Sequence, residues 1–122
     1  MDISKEIKAI IEQAQKLDGY ICHGLVNYQK GVAALKEDSS PSDKENYFPQ
    51  QCSAVVNTIT QSLRNLDGGT PQRFVVEAER MTMVITIVNA TYFCGVGLQP
   101  GTPSSKAEEL LSRLATAMRK QV

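Results

Sequence analysis

Tryptophan is absent from this chain, and histidine occurs once, at His23. Imidazole-based catalysis or metal binding therefore has almost nothing to build on. Charge of one sign is also lacking, since thirteen Lys and Arg balance thirteen Asp and Glu. With no net charge, no global field draws the chain to nucleic acid or anionic membrane, and neither is expected as a partner. The longest uncharged stretch, 81–105, is broken by Asn89, Gly95, Gly97, Pro100 and Pro103, which is a sheet pattern and excludes membrane insertion. The opening MDISKEIKAIIEQ mixes charges among its apolar residues, unlike a signal peptide. The cysteines Cys22, Cys52 and Cys94 are odd in number and contain no CxxC pair. They read as reduced thiols, and the expected location is cytoplasmic.

What is present is an ordinary globular composition, 42% hydrophobic over 122 residues, which predicts one domain spanning 1–122. Ile3, Ile7, Ile10, Ile11, Ala14 and Leu17 recur at helical spacing, with Asp2 or Ser4 as cap and Asp18-Gly19 as stop. Residues 20–28 and 32–36 read as strands joined by a turn at Gln29-Lys30-Gly31. In the first, Tyr20, Cys22, Val26 and Tyr28 are expected on one face and Ile21, His23 and Leu25 on the other. Apolar residues on both faces suggest a central strand covered from both sides.

Residues 37–46 read as a solvent loop, followed by a helix from Tyr47 to Leu66 with Pro49 in its first turn. Phe48, Cys52, Val55, Val56, Ile59, Leu63 and Leu66 form its apolar stripe, and 67–71 ends it. Three strands are expected near 72–79, 82–88 and 91–98, with turns at Arg80-Met81 and Asn89-Ala90. A last helix begins at Ser105, with Ser105-x-x-Glu108 as a capping box and a stripe of Ala107, Leu110, Leu111, Leu114, Ala115 and Met118. Arg119 and Lys120 suit its C-terminal dipole. The order α-β-β-α-β-β-β-α predicts an α/β (α+β) three-layer domain, a five-stranded mainly antiparallel sheet with helices on both faces.

The candidate chemistry is sparse. Cys22 and His23 are adjacent on a strand and should point to opposite faces, which defeats a nucleophile–base pair. The three cysteines lie on separate elements without zinc-ligand spacing. In GVGLQPG a proline stands where a phosphate-binding loop needs its third glycine. Gly95 and Gly97 instead share a strand face with Phe93, where a helix could approach closely. Glu37, Asp38, Asp43 and Glu45 fall in the polar loop without useful pairing. No catalytic residue, metal site or cofactor is expected, and the chain is not expected to be an enzyme.

The strand at 72–79 begins a meander and is a natural sheet edge, guarded only at its start by Pro71. Two-fold pairing of this edge, with the helices packed together, would close an isologous dimer. The candidate interface residues are Val55, Ile59, Arg73, Phe74, Val75, Val76, Glu77 and Glu79.

The element order, with Leu17-Asp18-Gly19 leading into YICHGLVNYQKGVAAL, resembles the roadblock (dynein light chain) family. So does RFVVEAERMTMVITIVNATYFCGVGLQPG before a leucine-rich helix. The likeness spans nearly the whole chain and rests on topology and apolar pattern. It departs from the family at Gln29-Lys30-Gly31, where many members have an acidic-glycine turn, and in the long polar loop. The resemblance implies one helix on one sheet face and two on the other. It also implies dimerisation through the second helix and third strand, with a second copy or a related chain. Bacterial and archaeal members often bind Ras-like small GTPases, and eukaryotic ones are scaffolds in dynein and endosomal assemblies. A GTPase regulator and a pure scaffold are therefore the leading expectations. A PAS- or profilin-like ligand sensor is the third, and large side chains along all three helices argue against the cavity it needs.

Overall fold

The computed structural model describes residues 1–122. Its elements are α1 (Lys5–Gln15), β1 (Tyr20–Asn27), β2 (Val32–Ala33), α2 (Tyr47–Asn65), β3 (Arg73–Glu77), β4 (Thr82–Ile87), β5 (Tyr92–Leu98) and α3 (Ser105–Gln121). The strands form one antiparallel sheet in the order β2-β1-β5-β4-β3. The α+β fold expected from the sequence is the one observed.

The two faces of the sheet are filled very differently. Ile7, Ile10 and Ala14 of α1 and the buried stripe of α3 pack with Leu25, Val84, Cys94, Val96 and Leu98 into the larger core. On the opposite face, α2 contributes one fully buried side chain, Val56, to a small cluster with Val26, Tyr28, Ile85, Ile87 and Phe93, and the half-buried Cys52 packs against it. Ridges of leucine and alanine on α3 can lie flat against branched β residues, so that face closes.

The ends of the elements correct several expectations. Ser4, not Asp2, caps α1 by accepting from the Ile7 N–H at 3.2 Å. At α3 the cap position is Ser104 rather than Ser105, and the Ser104 hydroxyl donates to Glu108 Oε2 at 2.9 Å. Arg119 does not idle at the helix dipole. Its guanidinium donates to the carbonyls of Val88 and Ile87, tying α3 to the end of β4.

β1 sits second from the sheet edge, and β5 is the central strand. A bulge at Ile21 shifts the register between Tyr20 and Cys22. Tyr20 therefore joins the α1/α3 side and leaves the face it was expected to share with Cys22, Val26 and Tyr28, which do lie together on the α2 side. Ile21 itself is left exposed.

The segment 32–36 is a strand only at Val32–Ala33 and then winds into a 3-10 turn at Ala34–Lys36. Alanine, leucine and lysine are weak strand formers, and the Ala33 N–H is diverted to the Asn46 side chain. The loop beyond it is not merely solvated. A second 3-10 turn, Lys44–Asn46, leads into α2, and Asn46 is fully buried.

One buried group is unsatisfied: the Thr86 hydroxyl has no hydrogen-bond partner. Thr86→Val keeps the shape and removes the stranded hydroxyl. It is expected to raise stability by about 1 kcal/mol, read as a higher urea midpoint at unchanged m-value.

Candidate interaction surface

α2 is a 19-residue helix of which only Ser53 and Val56 are buried. The apolar stripe read from the sequence is real but wider than its contact with the sheet. Phe48 (66% exposed), Val55 (38%), Leu66 (77%) and Tyr47 all remain open to solvent. Ile59 and Leu63 are half-buried. α2 leans on β1 and β2 and leaves the β3 side of the sheet open.

β3 pairs only with β4, so its other side is a free edge. Phe74 pairs with Ile85 and Val76 with Met83, which places both on the α2 face. Phe74 packs against the small cluster, whereas Val76 stays 40% exposed. Arg73, Val75 and Glu77 alternate onto the other face, where no helix reaches them, and all three are exposed. The strand is shorter than expected. The Ala78 N–H donates to the Met81 carbonyl to close the turn, so Glu79 lies in that turn rather than on the strand face shared by Arg73 and Glu77. The structure thus brings Arg73, Phe74, Val75, Val76 and Glu77 onto one edge strand and sets Val55 and Ile59 on the helix of the neighbouring layer.

Between α2 and the sheet lies an apolar groove of about 540 Å³, so the filled core expected on this face is not found. Its floor includes Cys22, Gly24, Phe93, Gly95 and Gly97, and Phe48, Cys52 and Val55 form its helical wall. The glycines do not admit a closer helix. A Cβ at Gly97 would stand 2.8 Å from both Cys22 Sγ and Met81 Cε, so side chains from the flanking segments occupy that space.

The residues with chemical potential are dispersed. Cys22 lies beside Gly97 on the groove face, while His23 turns to the other face and shares a 2.8 Å hydrogen bond with the Tyr20 hydroxyl. Partial burial lowers the His23 pKa. Cys94 is buried on the α3 side, 3.6 Å from the Leu111 carbonyl, and burial pushes its thiol up to about 12. No three His, Cys, Asp or Glu side chains converge as a metal cluster would require. No helix is long and apolar enough to cross a membrane.

Two polar residues acquire roles that the sequence does not show, and Glu37, expected without a useful partner, is one of them. Asn27, buried at the end of β1, accepts from the Gln29 and Lys30 N–H groups and so shapes the β1–β2 turn. It also donates to Glu37 at 2.9 Å, and Glu37 accepts a second hydrogen bond from the Tyr92 hydroxyl. An Asn two residues before a turn was the available signal. Glu37 itself reads as one more solvated acid until the sheet brings Tyr92 to it.

The Tyr92 and Asn27 hydrogen bonds hold the Glu37 carboxyl below its ordinary range, and the same contact raises Tyr92 to about 12. A depressed carboxyl stabilises the fold above its unfolded pKa and loses that effect as pH falls through the folded value. A raised tyrosine stabilises the fold below 10, and the effect fades between 10 and about 12. Glu37→Gln is expected to cost under about 1 kcal/mol at neutral pH, because the site is solvent-screened. Urea unfolding at stepped pH should show that difference vanish in acid and again in strong base.

No protein-family profile matches the chain, and no curated protein matches it in sequence. Solved structures do match it in shape. A Roadblock/LC7 domain from Streptomyces avermitilis superposes with a TM-score of 0.76 at 13% identity, covering 99% of this chain and 98% of that one. Myxococcus xanthus MglB gives 0.76 at 10% identity over 98% and 97% of the two chains. An MglB structure described as having a tetrameric arrangement gives 0.70 at 18% identity over 93% and 85%.

Proposed function

We propose that this chain, which has the roadblock fold, acts as a non-catalytic, cytoplasmic interaction domain over residues 1–122. It pairs through α2 and β3 with a second copy or a related chain, and the pair regulates a Ras-like small GTPase. The observation that carries the pairing is the mismatch between the apolar stripe of α2 and its scant burial, beside a free edge strand. An exposed edge bearing valines is a template for another strand.

Charge placement supports a two-fold arrangement. Antiparallel pairing of β3 centred on Val75 would set Arg73 of each copy opposite Glu77 of the other, and Val75 against itself. The tetrameric arrangement of one similar MglB structure is in keeping with self-association in this fold. The GTPase step rests on the family resemblance.

Sedimentation equilibrium at micromolar concentration tests the pairing, and a monomer there would overturn it. Nucleotide-dependent capture of a Ras-like GTPase, with a changed hydrolysis rate, tests the second step. A stable pair that alters no GTPase would instead be a scaffold.

A further inference from the structure

β1 pairs with β5 from Tyr20 to Asn27, but with β2 only at Val26 and Asn27. β2 stops there because the Asn46 side chain holds the Ala33 N–H and the chain winds into the 3-10 turn at Ala34–Lys36. The outer edge of β1 from Tyr20 to Gly24 therefore has no strand beside it. The ladder fixes where its backbone groups point. Tyr28 donates its N–H to the Thr91 carbonyl just ahead of β5, and Asn27 accepts from Gly31 on the β2 side. By alternation Gly24 turns toward β5, and the N–H and C=O of His23 point outward, where nothing in the chain meets them. Ile21 and His23 are exposed, so this edge is open to solvent.

The groove between α2 and the sheet opens onto the same edge. Its lining passes from Cys22 and Gly24 round to Leu25 and Ile11, which belong to the α1/α3 layer. Gly24 pairs with Gly95, so two neighbouring strands lack side chains on the groove floor. A Cβ at Gly24 would meet only Val26 Cγ2, at 3.5 Å, which leaves that spot unfilled. Leu35 and Phe48 border the groove and are both exposed. Glu45 is the one Asp, Glu, Lys or Arg in the lining and is paired with Lys36 at 3.3 Å, so the groove asks for no charge.

We propose that the β1 edge at Ile21–Gly24 is a second docking site, taking an extended, uncharged segment of a partner protein that lays one aromatic side chain over Gly24. An antiparallel segment exchanges two hydrogen bonds with His23, and its next residue faces Gly24 as a close, non-hydrogen-bonded pair. A ring there covers both glycines, as an aromatic side chain does for a glycine across a strand. Unpaired strand groups call for extended main chain, which a helix, bonded within itself, does not offer. The free stretch runs only from the bulge at Ile21 to the end of β2. A strand that short buries well under the about 800 Å² per side of a stable protein–protein interface, so the occupant is a peptide segment rather than a second copy. β3 lies at the far side of the sheet, so the site does not depend on pairing through α2 and β3.

The test pans the full-length chain against a display library of random decapeptides and follows the enriched peptide by fluorescence anisotropy. Enriched sequences are expected to carry one aromatic residue between β-branched ones, without charge beside it. N-methylation of one alternate set of peptide amides should weaken binding at least about 10-fold, and of the other set leave it unchanged, which is the mark of an added strand. Gly24→Val fills the space over the glycine and should weaken binding at least about 10-fold at an unchanged urea midpoint. Val76→Glu, at the far edge, should bind as the parent does. Exchange of the His23 amide should slow when peptide is bound. No enriched sequence, enrichment of helical i, i+3, i+4 patterns, equal effects of the two N-methyl sets, or undiminished binding by Gly24→Val would overturn the site. A Gly24→Val chain that sediments as a monomer where the parent is a dimer would overturn it too, by giving this edge to the second copy.

Discussion

Val76→Glu is expected to turn a micromolar dimer into a monomer without lowering the stability of the chain itself. Val76 is 40% exposed, so a glutamate there meets water in the isolated fold and costs little. In a two-fold pair it would be buried twice, once from each copy, among apolar side chains. Val55→Glu on α2 should act in the same way from the other layer. A dissociation constant raised by at least about 100-fold corresponds to roughly 3 kcal/mol, a modest penalty for two desolvated charges.

Arg73 and Glu77 supply the sharper control. If β3 pairs about Val75, Arg73→Glu weakens the dimer by setting like charges opposite, and adding Glu77→Arg restores it. Analytical ultracentrifugation of the single and double variants reads both effects. Dimers that persist in Val55→Glu and Val76→Glu would place the interface elsewhere.

Asn46→Ala is expected to destabilise the fold by about 3 kcal/mol, although it removes only one small side chain. Asn46 is fully buried between β2 and α2. Its Oδ1 accepts from the Ala33 N–H at 2.9 Å, and its Nδ2 donates to Ser39 Oγ at 2.7 Å and to the Ser40 carbonyl at 3.0 Å. Truncation leaves the half-buried Ala33 N–H without its partner and empties a fully buried position, and an unmade hydrogen bond of this kind costs about 1–3 kcal/mol before the cavity is counted. The loss should appear in urea unfolding, with faster amide exchange at Ala33 as its local mark. A variant within about 1 kcal/mol of the parent would mean that water replaces the amide.

The loop 34–46 shows why such a residue escapes sequence reading. EDSSPSDKEN is polar throughout, and nothing local separates Asn46 from the serines and acids beside it. Its role depends on Ala33, thirteen residues earlier, presenting an N–H that the short β2 leaves free. Glu37 is similar, since its partner Tyr92 is 55 residues away. Polar contacts between distant segments leave no periodic trace.

Spacing of 3.6 or 2 along the chain located the three helices and the five strands, because a residue's face follows from it, and the short connections implied a mainly antiparallel sheet. The place of β3 at the start of a meander marked it as an edge, and helical spacing marked α2 as apolar along one side. Only the tertiary structure decided how much of that side is used. α1 and α3 share one sheet face and cover it between them, whereas α2 alone cannot span five strands. The apolar surface left over became a groove over Gly97 and an uncovered strip beside β3, because a single helix about 10 Å wide cannot cover a sheet of five strands spaced about 4.8 Å apart.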